Sequence, residues 1–239
     1  MLELINVKKY YKENKAVDGI SFQVKEGEVL GLIGANGAGK STTISMITTL
    51  NKPDSGNIYY NGQDIVKYPW FMRSSLGYVP QEIALYPSLS GKDNLKFWGR
   101  ANHVRGKRLR NRVNEVADTI QITGKVLRRR VSSYSGGMKR RLNIGAALLH
   151  EPKLIIMDEP TVGLDVESRN QILEAVLRLK SQGVSIIYAG HYMEEMEKIC
   201  DKICMIDRGR CILFGDMKEL LGTNKSLEQL YLEVTGNRN

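Results

Sequence analysis

The sequence predicts an α/β fold: a mostly parallel sheet core, an antiparallel β region toward the N-terminus, and a helical block inserted into the core. Three observations carry this expectation. Short β-rich runs open the chain. Strand-like and helix-like patterns then alternate in its last third, and that alternation implies βαβ units with parallel pairing. Between them, from about Lys92 to His150, the pattern is helical.

Taken in order, "LELINVKK", "AVDGISFQV" and "EVLGLIGA" read as strands, and "KSTTISMITTL" as a helix that starts after a glycine loop. "GNIYYNGQDI" alternates polar and apolar residues and carries Asn-Gly, a strong hairpin signal. In "RLRNRVNEVADTI", Leu109, Val113, Val116 and Ile120 form one stripe at helical period. "KLIIMDE", "VESRNQILEAVLRLKSQ", "VSIIYAGH", "YMEEMEKIC" and "KICMID" restore the alternation, and helices near Leu220 and Leu230 close the chain. No repeat, low-complexity segment or long linker divides it. The expectation is one domain over 1–239: residues 1–81 and 151–239 form the α/β core with its β region, and 82–150 form the helical insert.

Composition narrows the class. The 239 residues suffice for a sizeable core, with ordinary apolar (42%) and charged (26%) fractions. The longest apolar runs, "VLGLIGA" and "LIIM", fall far short of the roughly 20 residues that span a bilayer. The N-terminal "MLELINVKKYY" has an acid at position 3 and no extended apolar stretch, so a cytosolic chain without a signal peptide is expected. Cys200, Cys204 and Cys211 suit a reducing compartment. Cys200 and Cys204, four apart, could share a helix face, but no His or third Cys completes a metal set, so buried thiols are expected. The net charge of +9 concentrates in "HVRGKRLRNR" and "KVLRRR". Each run by itself reads first as a solvated helix face and next as a surface near anionic lipid, where a Lys or Arg gains about 1 kcal/mol. Neither contains the aromatics that interleave with cations in single-strand nucleic-acid grooves.

The chemistry begins at "GANGAGKS", Gly34 to Ser41, which fits G-x-x-x-x-G-K-[ST] directly after a strand-like run. In such a loop Gly34, Asn36, Gly37, Ala38 and Gly39 wrap the backbone around phosphate oxygens at a helix N-terminus. Lys40 reaches the β- and γ-phosphates, the Ser41 hydroxyl ligates Mg²⁺, and Thr42 can donate to the α-phosphate. "KLIIMDEP" delivers Asp158 at the end of an apolar strand, suited to the same metal. Strand alternation sends the next residue to the other side, leaving Glu159 to orient the attacking water or accept its proton. Gln81 and His191 also follow strand-like runs, and ligands in open parallel sheets bind beyond the carboxyl ends of strands. Gln81, Asp158, Glu159 and His191 are therefore expected to converge on the edge that holds the phosphate loop.

"VSSYSGGMKRR" poses a separate question. Ser135 is a good N-cap, Gly136 and Gly137 open the backbone, and "MKRRLNIGAALL" reads as a helix whose positive end faces that point. By itself this is either a second anion site or an ordinary helix start, and it falls in the helical block rather than on the core.

In this order "GANGAGKST", "YSGGM", "LIIMDEP", "GLD" and a following His resemble the ATP-binding-cassette (ABC) ATPases over essentially the whole chain. The resemblance implies a RecA-like P-loop NTPase core, ATP and Mg²⁺ as ligands, and two cassettes, identical or different, that meet head to tail. Ser135, Gly136 and Gly137 would then grip the γ-phosphate of ATP held by the other cassette. "GLD", Gly163 to Asp165, resembles the loop that crosses the dimer interface. Tyr11, in preference to Tyr10, resembles the aromatic that stacks on adenine; Gln81 resembles the glutamine that touches Mg²⁺ and senses the membrane partner; His191 resembles the switch histidine on the γ-phosphate. Tyr134 and Met138 depart from the family's commonest Leu and Gln. These variants, and the ending "SLEQLYLEVTG", resemble exporter-type cassettes.

What this implies is the ATP-hydrolysing subunit of an exporter, peripheral on the cytoplasmic face of the membrane. It would power a separate transmembrane permease docked near Gln81 and "EIALYPSLSG". Nucleic acid is not an expected partner. The rival readings are a cassette acting on nucleic acid or the ribosome, which usually carries tandem cassettes or coiled-coil insertions, and a cassette energising a non-transport membrane complex.

Overall fold

The structure, a computed structural model, describes residues 1–222 and 225–236. Strand β1 (Leu2–Tyr11) pairs antiparallel with β2 (Asn14–Val24) and with β4 (Ser55–Tyr60); β4 turns through Asn61-Gly62 into β5 (Gln63–Asp64). This sheet runs β2-β1-β4-β5. The second sheet contains β3 (Val29–Ile33), β6 (Leu76–Val79), β7 (Leu154–Asp158), β8 (Ser185–Gly190), β9 (Lys202–Asp207) and β10 (Arg210–Asp216), in the order β10-β9-β3-β8-β7-β6. All its pairings are parallel except β9–β10.

Every residue of β3, β7 and β8 is buried, as expected for parallel strands covered on both faces. Pleat alternation divides them between two cores. On one face Val29, Ile33, Val79, Ile155 and Met157 pack with helical residues including Leu109, Val113, Val116 and Leu142. On the other, Leu30, Leu32, Ile156 and Ile187 pack with Leu4, Ile20, Phe22 and Ile58 of the antiparallel sheet and with Ile44 and Ile47 of α1 (Lys40–Ile47).

The helical block contains α3 (Gly91–Ala101), α4 (Gly106–Thr119), the single turn α5 (Gly124–Leu127) and α6 (Gly136–Leu148). The stripe of Leu109, Val113, Val116 and Ile120 is buried, each residue at most 5% exposed. Later come α7 (Val166–Ser181), α8 (Met193–Ile199), α9 (Met217–Leu221) and α10 (Leu227–Gly236). No helix among the described residues is long and apolar enough to cross a membrane.

Three features depart from the sequence reading. "PWFMR" forms a short helix, α2 (Pro69–Arg73), which Pro initiates at the first helical position. "RCILFGD" forms β10, an antiparallel edge strand whose partly buried residues lack the continuous apolar run of the central strands. Cys200 and Cys204 share no helix face, because α8 ends at Ile199 and Cys204 lies in β9, where its thiol sits 3.2 Å from that of Cys211. Cys200 and Cys204 are buried; Cys211 is partly so.

Candidate active site

β3 feeds directly into the glycine loop, and the loop ends on α1. That helix has no side-chain cap and no acid in its first turn, so its leading N–H groups are left for an external anion. Gly39 holds φ +113°, and a Cβ there would lie 2.5 Å from the Ala16 carbonyl oxygen; only glycine fits. The loop is braced from behind by the β9–β10 turn, where Gly209 N–H donates to Ala38 O (2.9 Å) and Asp18 N–H to Gly209 O (2.7 Å).

A cleft of about 500 Å³ opens over this loop, lined by Asn36, Gly37, Gly39, Lys40, Ser41 and Thr42 together with Tyr11, Gln81 and Glu159. Asn14 and Ala16 also line it; the sequence reading missed both, and their only signal was proximity to Tyr11. Tyr11 is 46% exposed, whereas the Tyr10 hydroxyl is occupied in donating to Asp18 Oδ1 at 2.7 Å. Gly34, Ala38 and Asp158 are buried beneath the cleft.

Glu159 is the hub of the polar groups. β7 stops at Asp158, and Glu159 turns left-handed (φ 47°) with its N–H donating to Ala189 O at 2.9 Å. Strand alternation therefore does not separate the two acids as expected; a backbone turn does. Glu159 Oε2 accepts from Gln81 Nε2 at 3.2 Å, and Oε1 lies 3.8 Å from Lys40 Nζ and 3.5 Å from His191 Nδ1. Lys40 Nζ also donates to Gly34 O (2.7 Å) and Ala35 O (3.2 Å). Burial pushes the Lys40 ammonium below its ordinary pKa, while Glu159 and Asp158 pull it back up. Burial raises Asp158 above the usual carboxylate range, with the Ser41 hydroxyl opposing.

Asp158 Oδ1 is buried without a hydrogen-bond partner. An orphaned carboxylate oxygen costs free energy unless something pairs with it, and with Ser41 beside it the site fits a hard divalent cation such as Mg²⁺.

The "YSGGM" residues stand elsewhere. Ser135 caps α6, accepting from Met138 N–H at 3.2 Å, and Asp165 caps α7, accepting from Ser168 N–H at 2.8 Å. The two helix starts touch: a Cβ on Gly137 would lie 2.2 Å from Ser168 Oγ, and one on Gly136 would meet Leu164 at 3.6 Å. Ser135, Gly136, Gly137 and Asp165 are not among the residues that line the Lys40 cleft. Behind them, Arg140 Nη1 donates to Pro80 O (3.2 Å) and Gln81 O (2.5 Å), tying α6 to the Gln81 loop. The sequence reading did not single out Arg140, whose role depends on a contact 59 positions away.

Residues 17–162 match the family described as ABC transporter. The chain is 50% identical over 236 residues to the linearmycin resistance ATP-binding protein LnrL of Bacillus subtilis (strain 168), covering 99% of this chain and 76% of that one. It is 39% identical over 222 residues to the Nod factor export ATP-binding protein I of Paraburkholderia xenovorans (strain LB400), covering 93% and 73%. Among solved structures, one described as the ATP-binding subunit of an ABC transporter superposes with a TM-score of 0.86 at 30% identity, covering 98% of this chain and 99% of that one.

Proposed function

The chain belongs to the ABC transporter ATPase family, and from that premise we propose that it is the ATP-hydrolysing subunit of an exporter, working as a pair of cassettes on a separate membrane-spanning partner. Relatives named for linearmycin resistance and Nod factor export support the direction. The observation that supports the pairing is the placement of Ser135, Gly136 and Gly137: they begin α6, where helix N-terminal N–H groups would suit an anion, and they do not line the chain's own cleft.

ATP would lie with its adenine on Tyr11 and its phosphates in the Gly34–Thr42 loop. Ser41, Asp158 and Gln81 would hold Mg²⁺, which when bound neutralises charge on the transferring phosphoryl group. Lys40 would leave its loop carbonyls for the β- and γ-phosphates. Glu159, within reach of Gln81, Lys40 and His191, would orient the attacking water and accept its proton, with His191 holding the γ-phosphate. The second cassette's Ser135, Gly136, Gly137 and Asp165 would close the site from outside.

The membrane subunit would dock beside Gln81. There Ile83 and Tyr86 are exposed, and a cleft of about 280 Å³ is lined by Tyr78, Pro80, Ala84, Trp98, Asn143 and His150. Docked there, the chain would lie on the cytoplasmic face of the membrane.

Two variants test the pair. Glu159→Gln removes the proton acceptor, so turnover should fall about 100-fold or more, and ATP should drive the chain into dimers on size-exclusion chromatography. Ser135→Arg should abolish turnover while the nucleotide affinity of the single chain, read by fluorescent-ATP titration, stays within a few-fold. Collapse of that affinity would mean that Ser135 serves the chain's own cleft and would overturn the paired site.

A further inference from the structure

A groove of about 810 Å³ lies between α3 and α4, away from the nucleotide cleft and from the Gln81 cleft. Its floor is apolar, with Leu109 and Val113 both buried, and its walls carry Lys92, Lys96, Arg100, Arg105 and Arg110. No carboxylate among the described residues lines it. Lys96 meets Asp93 at 3.4 Å; the other four cations have no carboxylate partner among the described residues. Lys92, Lys96 and Arg100 recur at four-residue spacing, so they share one face of α3. Five cations of one sign around a concavity repel one another and focus a field that attracts anions.

Trp98, on another face of α3, and Asn102 line the cleft beside Gln81, so one helix borders both the cationic groove and the proposed docking face for the membrane subunit. Between them, Phe97 and Tyr86 are 41% and 44% exposed and stack edge to face at 4.7 Å. Exposed aromatics beside cations, over an apolar floor, match a headgroup boundary, where rings and cationic stems sit at the polar–apolar junction.

We propose that the α3–α4 groove binds the phosphate groups of anionic phospholipids, giving this subunit a contact with the bilayer surface of its own beside its membrane partner. The inference rests on the exporter reading for its orientation toward a membrane.

The test is co-sedimentation of the full chain with phosphatidylglycerol–phosphatidylcholine vesicles and with pure phosphatidylcholine vesicles. Wild type should sediment only with the anionic vesicles, and R100E/R105E should lose about tenfold or more in affinity. R128E/K153E makes the same change in net charge outside the groove and should bind as wild type does. If the charge reversal fails to fold, R100Q/R105Q with an unchanged melting temperature should show an intermediate loss. Equal binding by all variants, or weakening by R128E/K153E as large as by the groove pair, would reduce the effect to the net charge of +9 and overturn the proposal. So would the absence of vesicle binding together with a groove-dependent rise in melting temperature on adding tripolyphosphate to a Lys40→Ala chain, since that result assigns the groove to a soluble polyanion. Vesicle binding needs neither ATP nor a partner. Its failure leaves the Glu159→Gln dimer untouched, and failure of that dimer leaves vesicle binding untouched.

Discussion

At Glu159 a non-glycine residue holds a left-handed backbone, a conformation that costs on the order of 1–3 kcal/mol. That turn brings one carboxylate within reach of Gln81, Lys40 and His191, so under the proposed mechanism the strain would sit where proton transfer needs a fixed acceptor. Gly137 is constrained differently, by space. A methyl group there would push on Ser168, whose hydroxyl donates to Asp165 Oδ2 at 2.9 Å. Gly137→Ala should lower stability by about 1–3 kcal/mol through loss of the α7 cap, whereas Gly136→Ala, meeting only Leu164 at 3.6 Å, should be near neutral. Differential scanning calorimetry of both variants checks this, and equal losses would mean that the two helix starts are not packed as described. Glycine at 137 was legible in "YSGGM"; the reason for it was not, since Ser168 lies 31 positions on.

Among the elements, α6 connects the most. Its N-terminus offers the capped Ser135 turn, its second turn holds the Gln81 loop through Arg140, and its C-terminal end approaches β6. In the proposed pair, a shift of α6 on meeting another cassette's ATP would be carried to Gln81 by a guanidinium bound to two carbonyls. Arg140→Met keeps an apolar stem and removes the donors. It should cost about 1–3 kcal/mol in urea unfolding, with Arg140→Lys recovering part; no change would show that the tie is idle. Tyr134, where the family's commonest form has Leu, puts its hydroxyl on Val126 O at 2.7 Å, so the departure serves the inside of the helical block.

For the whole molecule, the parallel sheet separates two apolar cores and brings the strand ends together at one edge. His150 marks where the helical block is fastened to that sheet, with Nε2 donating to Leu76 O at 2.9 Å and Nδ1 buried without a partner. Burial pushes its imidazole pKa below 6.5, opposed by the bond to Leu76. The folded state thus favours neutral His150, and the unfolded chain binds the extra proton. This contribution to stability is complete above the unfolded pKa of about 6.5 and is lost as pH falls through the lower folded value. His150→Gln should flatten the decline in melting temperature below about pH 6.5; a decline as steep as wild type would assign the acid sensitivity to other groups.

Local chemistry made much of this protein readable from its residues alone. The glycine loop, the apolar strand ending in Asp158 and the capped Ser135 helix each depend on neighbours within a few positions, as backbone conformation, capping and periodicity do. So does the burial period of α4. The side-chain contacts that make Glu159 the hub of a convergence already expected at the strand ends, the opposing helix starts at Gly137 and Ser168, the Arg140 tie and the cationic groove between α3 and α4 were decided only by the tertiary structure. Each joins residues whose separation in sequence carries no periodic signal, because side-chain contact across a core depends on how elements pack and not on how they are spaced along the chain.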